Sequence, residues 1–338
     1  MKTAVIFGGT GFIGAFFASH LIKYEDFEKV YLFDTEASSC KTSEHRRQLL
    51  GSYENIHFVR GDVTKTIDWV PSESITLIAN FAAVHREPGH EDYEYYHCNL
   101  FGAENVCDWA ERVACNLLIF TSSIAPYGPS ESEKGEKSLP VPTTAYGGSK
   151  LVAEKIHEIW QSKNKKRKLV IVRPGVVFGP GEGGNVSRLI KAVRNRYFFY
   201  MGNRKTRKAG TYVKELCRAM MWVLDRQKAS NNGVVVFNMS MNPGPSIEEY
   251  VDAIARVANM KIWIPSVPSG LLFVVAYIIE IVARPLGIQH PFSSVRIKKL
   301  IRSNNILPAY LVEQGYEYKY SLDDAFVDWK KDCPDEWQ

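Results

Sequence analysis

Disulfide and metal frameworks are the first things missing from this chain of 338 residues. Its six cysteines, Cys40, Cys98, Cys107, Cys115, Cys217 and Cys333, form no CxxC pair and keep no regular spacing. They read as reduced thiols of a cytoplasmic protein, and no metal site is expected. Long uncharged runs are scarce as well. Within VPSGLLFVVAYIIEIVARPLG, residues 267–287, only Leu271 to Ile279 is unbroken before Glu280 and Arg284, whereas a spanning helix needs about 20 predominantly apolar residues. The expectation is a packed helix over 271–283, with weak membrane-surface contact as the lesser alternative. Net charge is only +5, and the basic runs KNKKRK (163–168) and RKTRK (204–208) are short. Solvated surface is expected there, and no nucleic-acid partner. Repeats and low-complexity tracts are lacking too. The N-terminal MKTAVIFGGTGFIG carries a glycine-rich turn where a secretory leader would carry its cleavage region, so no signal peptide is expected.

What is present is a soluble globular composition, 45% hydrophobic and 23% charged, arranged in a strict rhythm. KTAVIF (2–7) is a β-branched apolar run that stops at glycines. AFFASHLIKY (15–24) has helical spacing, and VYLFD (30–34) returns to strand character. The alternation continues through IHFVRGD (56–62), ITLIANFAA (75–83), a helix near 91–114, NLLIFTSS (116–123), a helix over about 145–162 and KLVIVRPG (168–175). Successive βαβ units predict a doubly wound parallel α/β sheet of the Rossmann type, whose ligands bind beyond the carboxyl ends of the strands. Past 178 the rhythm breaks into FGPGEGG, a basic helix-like stretch, TYVKEL, the strand-like VVVFNMS (234–240) and the helix SIEEYVDAIARVA. The expected division is a cofactor domain over 1–178, with late sheet elements from about 211–240, and a smaller mixed α/β substrate domain over 179–338, with a cleft between them.

Gly8, Gly11 and Gly14 follow the first strand and open the first helix, with Thr10, Phe12 and Ile13 in the same turn. A dinucleotide needs such a turn, because the backbone must approach the pyrophosphate and the helix N-terminus must offer free N–H groups. Asp34 ends the second strand twenty residues after Gly14. A carboxylate there accepts both adenine-ribose hydroxyls and repels a 2′-phosphate, which favours NAD over NADP. Asp62 and Val63 follow the third strand and are placed at the adenine. Phe81, Ala82 and Ala83 end the fourth with small residues against which the cofactor lies.

GGTGFIG, Asp34, GDV (61–63), NFAA (80–83), FTSS (120–123), YGGSK (146–150) and RPGVVFGPG (173–181), in that order, resemble the extended short-chain dehydrogenase/reductase superfamily, in its NAD-dependent epimerase/dehydratase branch. The resemblance covers roughly residues 1–220. It implies that Tyr146 and Lys150, four apart on one helix face, are the catalytic base and the residue that holds the nicotinamide ribose. It also implies that Ser123 hydrogen-bonds the reacting hydroxyl and that Pro174 and Val176 lie against the cofactor. Related 4,6-dehydratases carry Thr-Asp-Glu where this chain has Ser123-Ile124-Ala125. Elimination therefore lacks its proton-transfer groups, and oxidation and reduction at a carbinol remain.

The implied substrate is a nucleotide sugar, UDP- or GDP-linked. Asn185, Arg188, Arg204 and Lys208 are the candidates for its diphosphate, and His85, Arg86 and Glu87 in the loop VHREPGHED (84–92) for the sugar side of the cleft. The leading expectation is an epimerase that oxidises and re-reduces its substrate on one bound NAD. A secondary-alcohol dehydrogenase of the 3β-hydroxysteroid dehydrogenase-like type and a non-catalytic dinucleotide-sensing regulator stay open beside it. By analogy the helices near 91–114 and 145–162 pair in a homodimer.

Overall fold

The computed structural model describes residues 2–37, 43–87, 89–268, 270 and 302–338. Cys40 and the apolar segment 271–283 lie outside them. Five strands of the opening rhythm, β1 (Thr3–Phe7), β2 (Lys29–Asp34), β3 (Ile56–Arg60), β4 (Leu77–Asn80) and β5 (Leu117–Thr121), enter one sheet. They are joined there by β7 (Lys168–Pro174) and β11 (Val234–Met239). The order is β11-β7-β5-β4-β1-β2-β3, and every pair is parallel.

Both faces of this sheet are covered, which is why its strands read as continuous apolar runs rather than alternating ones. Ala4, Ile6, Val170 and Val172 face a core shared with α1 (Phe12–Tyr24) and α6 (Val213–Lys228). Val5, Phe7, Leu169 and Ile171 face a second core with α3 (Asp92–Arg112) and α4 (Ala145–Ser162). The chain runs outward from β1 through β2 to β3, then restarts at β4 on the other side of β1. That reversal opens a crevice at the carboxyl ends of β1 and β4, the place where such sheets bind ligands.

The expected fourth strand stops earlier than its apolar run. Phe81 N–H still reaches Phe7 O at 2.9 Å, after which the backbone leaves the ladder and Asn99 takes over the polar groups of Val84. TYVKEL, taken from sequence as one stretch, divides: β10 (Gly210–Tyr212) ends where α6 begins. A third core gathers β8 (Val176–Phe178), α5 (Asn185–Arg194), α7 (Ile247–Val257) and the late helix α9 (Leu322–Asp332) around Phe178, Tyr250, Phe326 and Trp329. Three small parallel ladders complete this half: β8 with β10, β9 (Tyr200–Met201) with β12 (Ser266–Val267), and β6 (Ser130–Lys134) with β13 (Asn304–Ile306). A short helix, α8 (Ala309–Glu313), follows β13. α2 (Glu44–Gly51) lies beside α1. Among the described residues no helix is long and apolar enough to cross a membrane.

Candidate active site

The glycine turn shows why each glycine is there. Gly8 has φ +73°, and a Cβ on it would stand 2.7 Å from Ala82 N, so the ends of β1 and β4 touch through this residue. A Cβ on Gly14 would meet Gly8 O at 2.5 Å, which fixes helix against turn. Gly11 is different. It is the N-cap of α1 without a side-chain cap, and the nearest atom to its virtual Cβ is Gly8 O at 3.1 Å. The first N–H groups of α1 are left for a ligand, and the missing side chain leaves room for one. These residues fit a dinucleotide diphosphate.

Asp34 is held at the end of β2, where the sequence reading puts the adenine ribose. Its Oδ2 accepts from Thr10 N–H at 3.1 Å and Thr10 Oγ1–H at 2.9 Å, and its Oδ1 accepts from Thr35 N–H at 2.8 Å. Arg46 of α2 donates to Thr10 O at 3.5 Å, a cation that the sequence reading did not place. Asp62 accepts from Thr64 N–H and Oγ1–H, and the buried Val63 touches the side chain that Gly102 lacks. Phe12 packs beside Gly179, Ile13 and Phe81 pack against the α1 core, and Pro174 O accepts from Ile124 N–H. Ala82 and Ala83 are half-buried along the crevice, as is Val176 at the start of β8.

The reactive centre is built by α4. Thr144 caps the helix by accepting from Gly147 N–H at 3.1 Å. The start of the helix is thereby set, and Tyr146 and Lys150 fall one turn apart on the same face. Tyr146 faces the Ser123 hydroxyl, which favours its phenolate. Burial pushes its phenol up to about 12, with the Ser123 hydroxyl opposing and the nearby Glu87 carboxylate adding to the rise. Lys150 is 2% exposed, its ammonium lies 4.3 Å from the centroid of the Phe120 ring, and burial draws it down to about 7 against the pull of Glu154.

Ser122 is not available for substrate. Its hydroxyl is spent on the buried Glu154, which Arg173 grips in a fork, Nε to Oε1 at 2.8 Å and Nη2 to Oε2 at 2.6 Å. Ser123, half-buried and near Tyr146, accepts from Ala125 N–H at 3.1 Å and keeps its own proton to donate. Ile124 sits in a small apolar cluster with Tyr127, Ala209 and Ile306, and Ala125 lies against Gly147 of α4, so no carboxylate enters from those positions.

Two residues that the sequence reading missed hold this centre. Asn99, 4% exposed on α3, accepts from Val84 N–H and donates to Val84 O and to Ser149 Oγ at 2.8 Å, and Ser149 in turn donates to Tyr146 O. Tyr95 packs 6.0 Å from Tyr146, ring centroid to centroid, and donates to Arg86 O, which draws the 84–87 loop over the tyrosine. The signal was an asparagine and a tyrosine in the apolar stripe of α3, in step with Gly102, Ala103 and Val106.

Of the substrate candidates, His85 and Arg86 are exposed on that loop. Asn185 and Arg188 are exposed on the first turns of α5, whose N-terminus is occupied by Glu182 accepting from Ser187 N–H and Oγ–H. Arg204 spends its guanidinium on Glu248 at 3.2 Å. Lys208 donates to Arg302 O at 2.5 Å, and burial lowers it to about 8. Tyr146 thus lies beside Ser123 and under the 84–87 loop with Lys150 one turn along its helix, whereas the four diphosphate candidates stand apart, two on α5 and two on the loop after β9.

The chain is similar to known proteins over most of its length. Over 262 residues the chain is 30% identical to the N-acetyl-alpha-D-glucosaminyl-diphospho-ditrans,octacis-undecaprenol 4-epimerase of Escherichia coli O157:H7, covering 74% of this chain and 78% of that protein. It is 23% identical over 283 residues to the UDP-glucose 4-epimerase of Bacillus subtilis (strain 168), covering 76% and 83%. Among solved structures, the UDP-N-acetylglucosamine 4-epimerase of Methanobrevibacter ruminantium M1 matches 99% of each chain with a TM-score of 0.74 at 18% identity, which shows a common fold. Residues 4–239, from β1 to the end of β11, match one family throughout, and with the glycine turn, Asp34 and the Tyr146–Lys150 helix inside that span the chain belongs to the NAD dependent epimerase/dehydratase family.

Proposed function

We propose that the chain is an NAD-dependent 4-epimerase of a diphosphate-activated sugar, with a nucleotide sugar as the first reading of its substrate. The observation that carries this is the Ser123–Tyr146 pair beside Lys150, with Ile124 and Ala125 where an elimination enzyme keeps its acid and base. NAD, when bound in the glycine cradle, supplies reversible two-electron oxidation of the carbinol. Ser123 holds the reacting hydroxyl. Tyr146 accepts its proton and later returns it, and the adjacent Lys150 cation favours the phenolate that this requires. The sugar presents its opposite face before reduction, so the proton passes twice through the same phenol and no cofactor turnover is needed.

A second reading of the substrate is a polyprenyl diphosphate-linked N-acetylhexosamine, favoured by the 30% identical relative named for such a compound. Nucleotide and lipid carriers share the diphosphate, so Asn185, Arg188, Arg204 and Lys208 remain its proposed ligands in either case. The experiment is to incubate the protein with UDP-N-acetylglucosamine, UDP-glucose and polyprenyl diphosphate-linked N-acetylglucosamine, following C4 inversion by NMR and NADH by absorbance. Inverted sugar without NADH is expected, falling by a factor of about 10²–10⁴ in Tyr146→Phe. Stoichiometric NADH would make the protein a dehydrogenase instead, and turnover that survives Tyr146→Phe would remove the tyrosine from the mechanism.

The same reading assigns residues 1–178 with β11 to cofactor and 179–338 to substrate. It also makes the protein a homodimer: Tyr93, Tyr96 and Phe101 on α3, with Val152 and Ile159 on α4, expose apolar side chains on two helices that pack against each other. Free thiols at the five described cysteines support a reducing, cytoplasmic setting.

A further inference from the structure

Between Glu182 and Glu215 no Asp or Glu occurs, while Lys and Arg occur nine times. The sequence reading weighed the run at 204–208 in this stretch as solvated surface against diphosphate ligands. The fold gives it a neighbour. β9 pairs with β12 in parallel register, Tyr200 opposite Ser266 and Met201 opposite Val267. Three residues before each paired position stand Tyr197 and Trp263, 59% and 86% exposed, and Trp263 is the most exposed large apolar side chain among the described residues. Exposed cations flank them along the chain: Arg196 next to Tyr197, Lys261 two residues before Trp263, and Lys205 on the turn leaving β9. The acids nearest Tyr200 are Glu248 and Asp252 of α7, and Glu248 is already paired with Arg204.

A surface that is basic, free of acids along one strand and tipped with tryptophan and tyrosine matches one partner well. Indole and phenol rings settle at the headgroup level of a bilayer, and lysine and arginine beside them meet anionic lipid phosphates. In the sequence, the uncharged run Leu271–Ile279 begins four residues after β12 ends, so the chain continues from this surface into its most apolar stretch. We propose that the surface carrying Tyr197 and Trp263, with Arg196, Lys205 and Lys261, docks the protein on an anionic membrane. The docking rests on the lipid-linked reading of the substrate for its purpose, since it would bring the site to a diphosphate held at the bilayer, but it does not depend on turnover for its detection.

The test is co-sedimentation with vesicles of phosphatidylcholine alone or with phosphatidylglycerol, at low and high salt. Binding to the phosphatidylglycerol vesicles, lost on adding salt, is expected. Trp263→Ser with Tyr197→Ser, and separately Arg196→Glu with Lys261→Glu, should each weaken it about tenfold or more, since a single cation is worth about fivefold. Circular dichroism and epimerisation of a water-soluble UDP-sugar should stay unchanged in both variants, which separates failed docking from failed chemistry. Wild-type protein that ignores phosphatidylglycerol overturns the proposal. So does vesicle binding indifferent to both variants, and so does duplex DNA that displaces the vesicles and binds more tightly through the same four residues.

Discussion

Lys150 and Tyr146 are both held by burial in the state least suited to an ion pair: the lysine is drawn down to about 7 and the phenol pushed up to about 12. The lysine makes this measurable without substrate. In the unfolded chain it returns to its ordinary value of 10.5. Between about 7 and that value the unfolded state holds a proton the folded state lacks, so stability rises with pH across this window and is lowest below it. Lys150→Met should therefore be more stable than wild type by a few kcal/mol near about pH 6, with the gap closing toward about pH 10 in urea unfolding. A gap independent of pH would mean that the ammonium is hydrated in the folded protein. Ser122 and Ser123 illustrate the limits of reading at this scale. Adjacent and chemically identical, they are distinguished only because Glu154 and Arg173 arrive from α4 and β7 to claim one of them.

Elements carry the next level of the argument, and the turn between β1 and α1 separates two roles within one motif. Gly14 is required by packing, since a Cβ there would fall 2.5 Å from Gly8 O, whereas one at 11 would stand 3.1 Å from the same atom, a contact that a shift of a few tenths of an ångström relieves, and the proposed role of Gly11 is toward the cofactor. Gly14→Ala should cost about 1–3 kcal/mol in thermal or urea unfolding. Gly11→Ala should unfold nearly as wild type yet bind NAD at least about tenfold more weakly by calorimetry, because its methyl enters the space that the diphosphate needs. Equal losses of stability in both would show the turn to be purely structural. Helix α4 was legible because Thr144 announces its start; α6 was not, because Tyr212 precedes it without a side-chain cap and a strand ends on that residue. A helix that starts without a cap leaves no local boundary in the sequence.

At the scale of the whole molecule, the strand order places the glycine turn of β1 beside Ala82 at the end of β4, and with it the cofactor crevice beside the loop that reaches Tyr146. The outer faces of α3 and α4 remain apolar at Tyr93, Phe101, Val152 and Ile159. If they meet a second copy, Phe101→Glu with Ile159→Lys should shift the protein from dimer to monomer in sedimentation velocity while its far-ultraviolet spectrum is kept. A variant that stays dimeric would place the interface elsewhere.

By itself the sequence determined the parallel α/β sheet, the glycine turn and the Tyr146–Lys150 spacing. Each is written in local periodicity or in a turn that only glycine can make, and local rules act over a few residues. Only the tertiary structure decided that Ser123 rather than Ser122 faces the tyrosine, that Asn99 and Tyr95 tie the 84–87 loop over it, that Arg204 is already paired with Glu248, and that the strands following Tyr197 and Trp263 pair. Those outcomes depend on residues from 15 to 66 positions apart competing for the same hydrogen bond or the same surface. Such competition is settled by which elements the sheet order brings together, and no short stretch of chain records it.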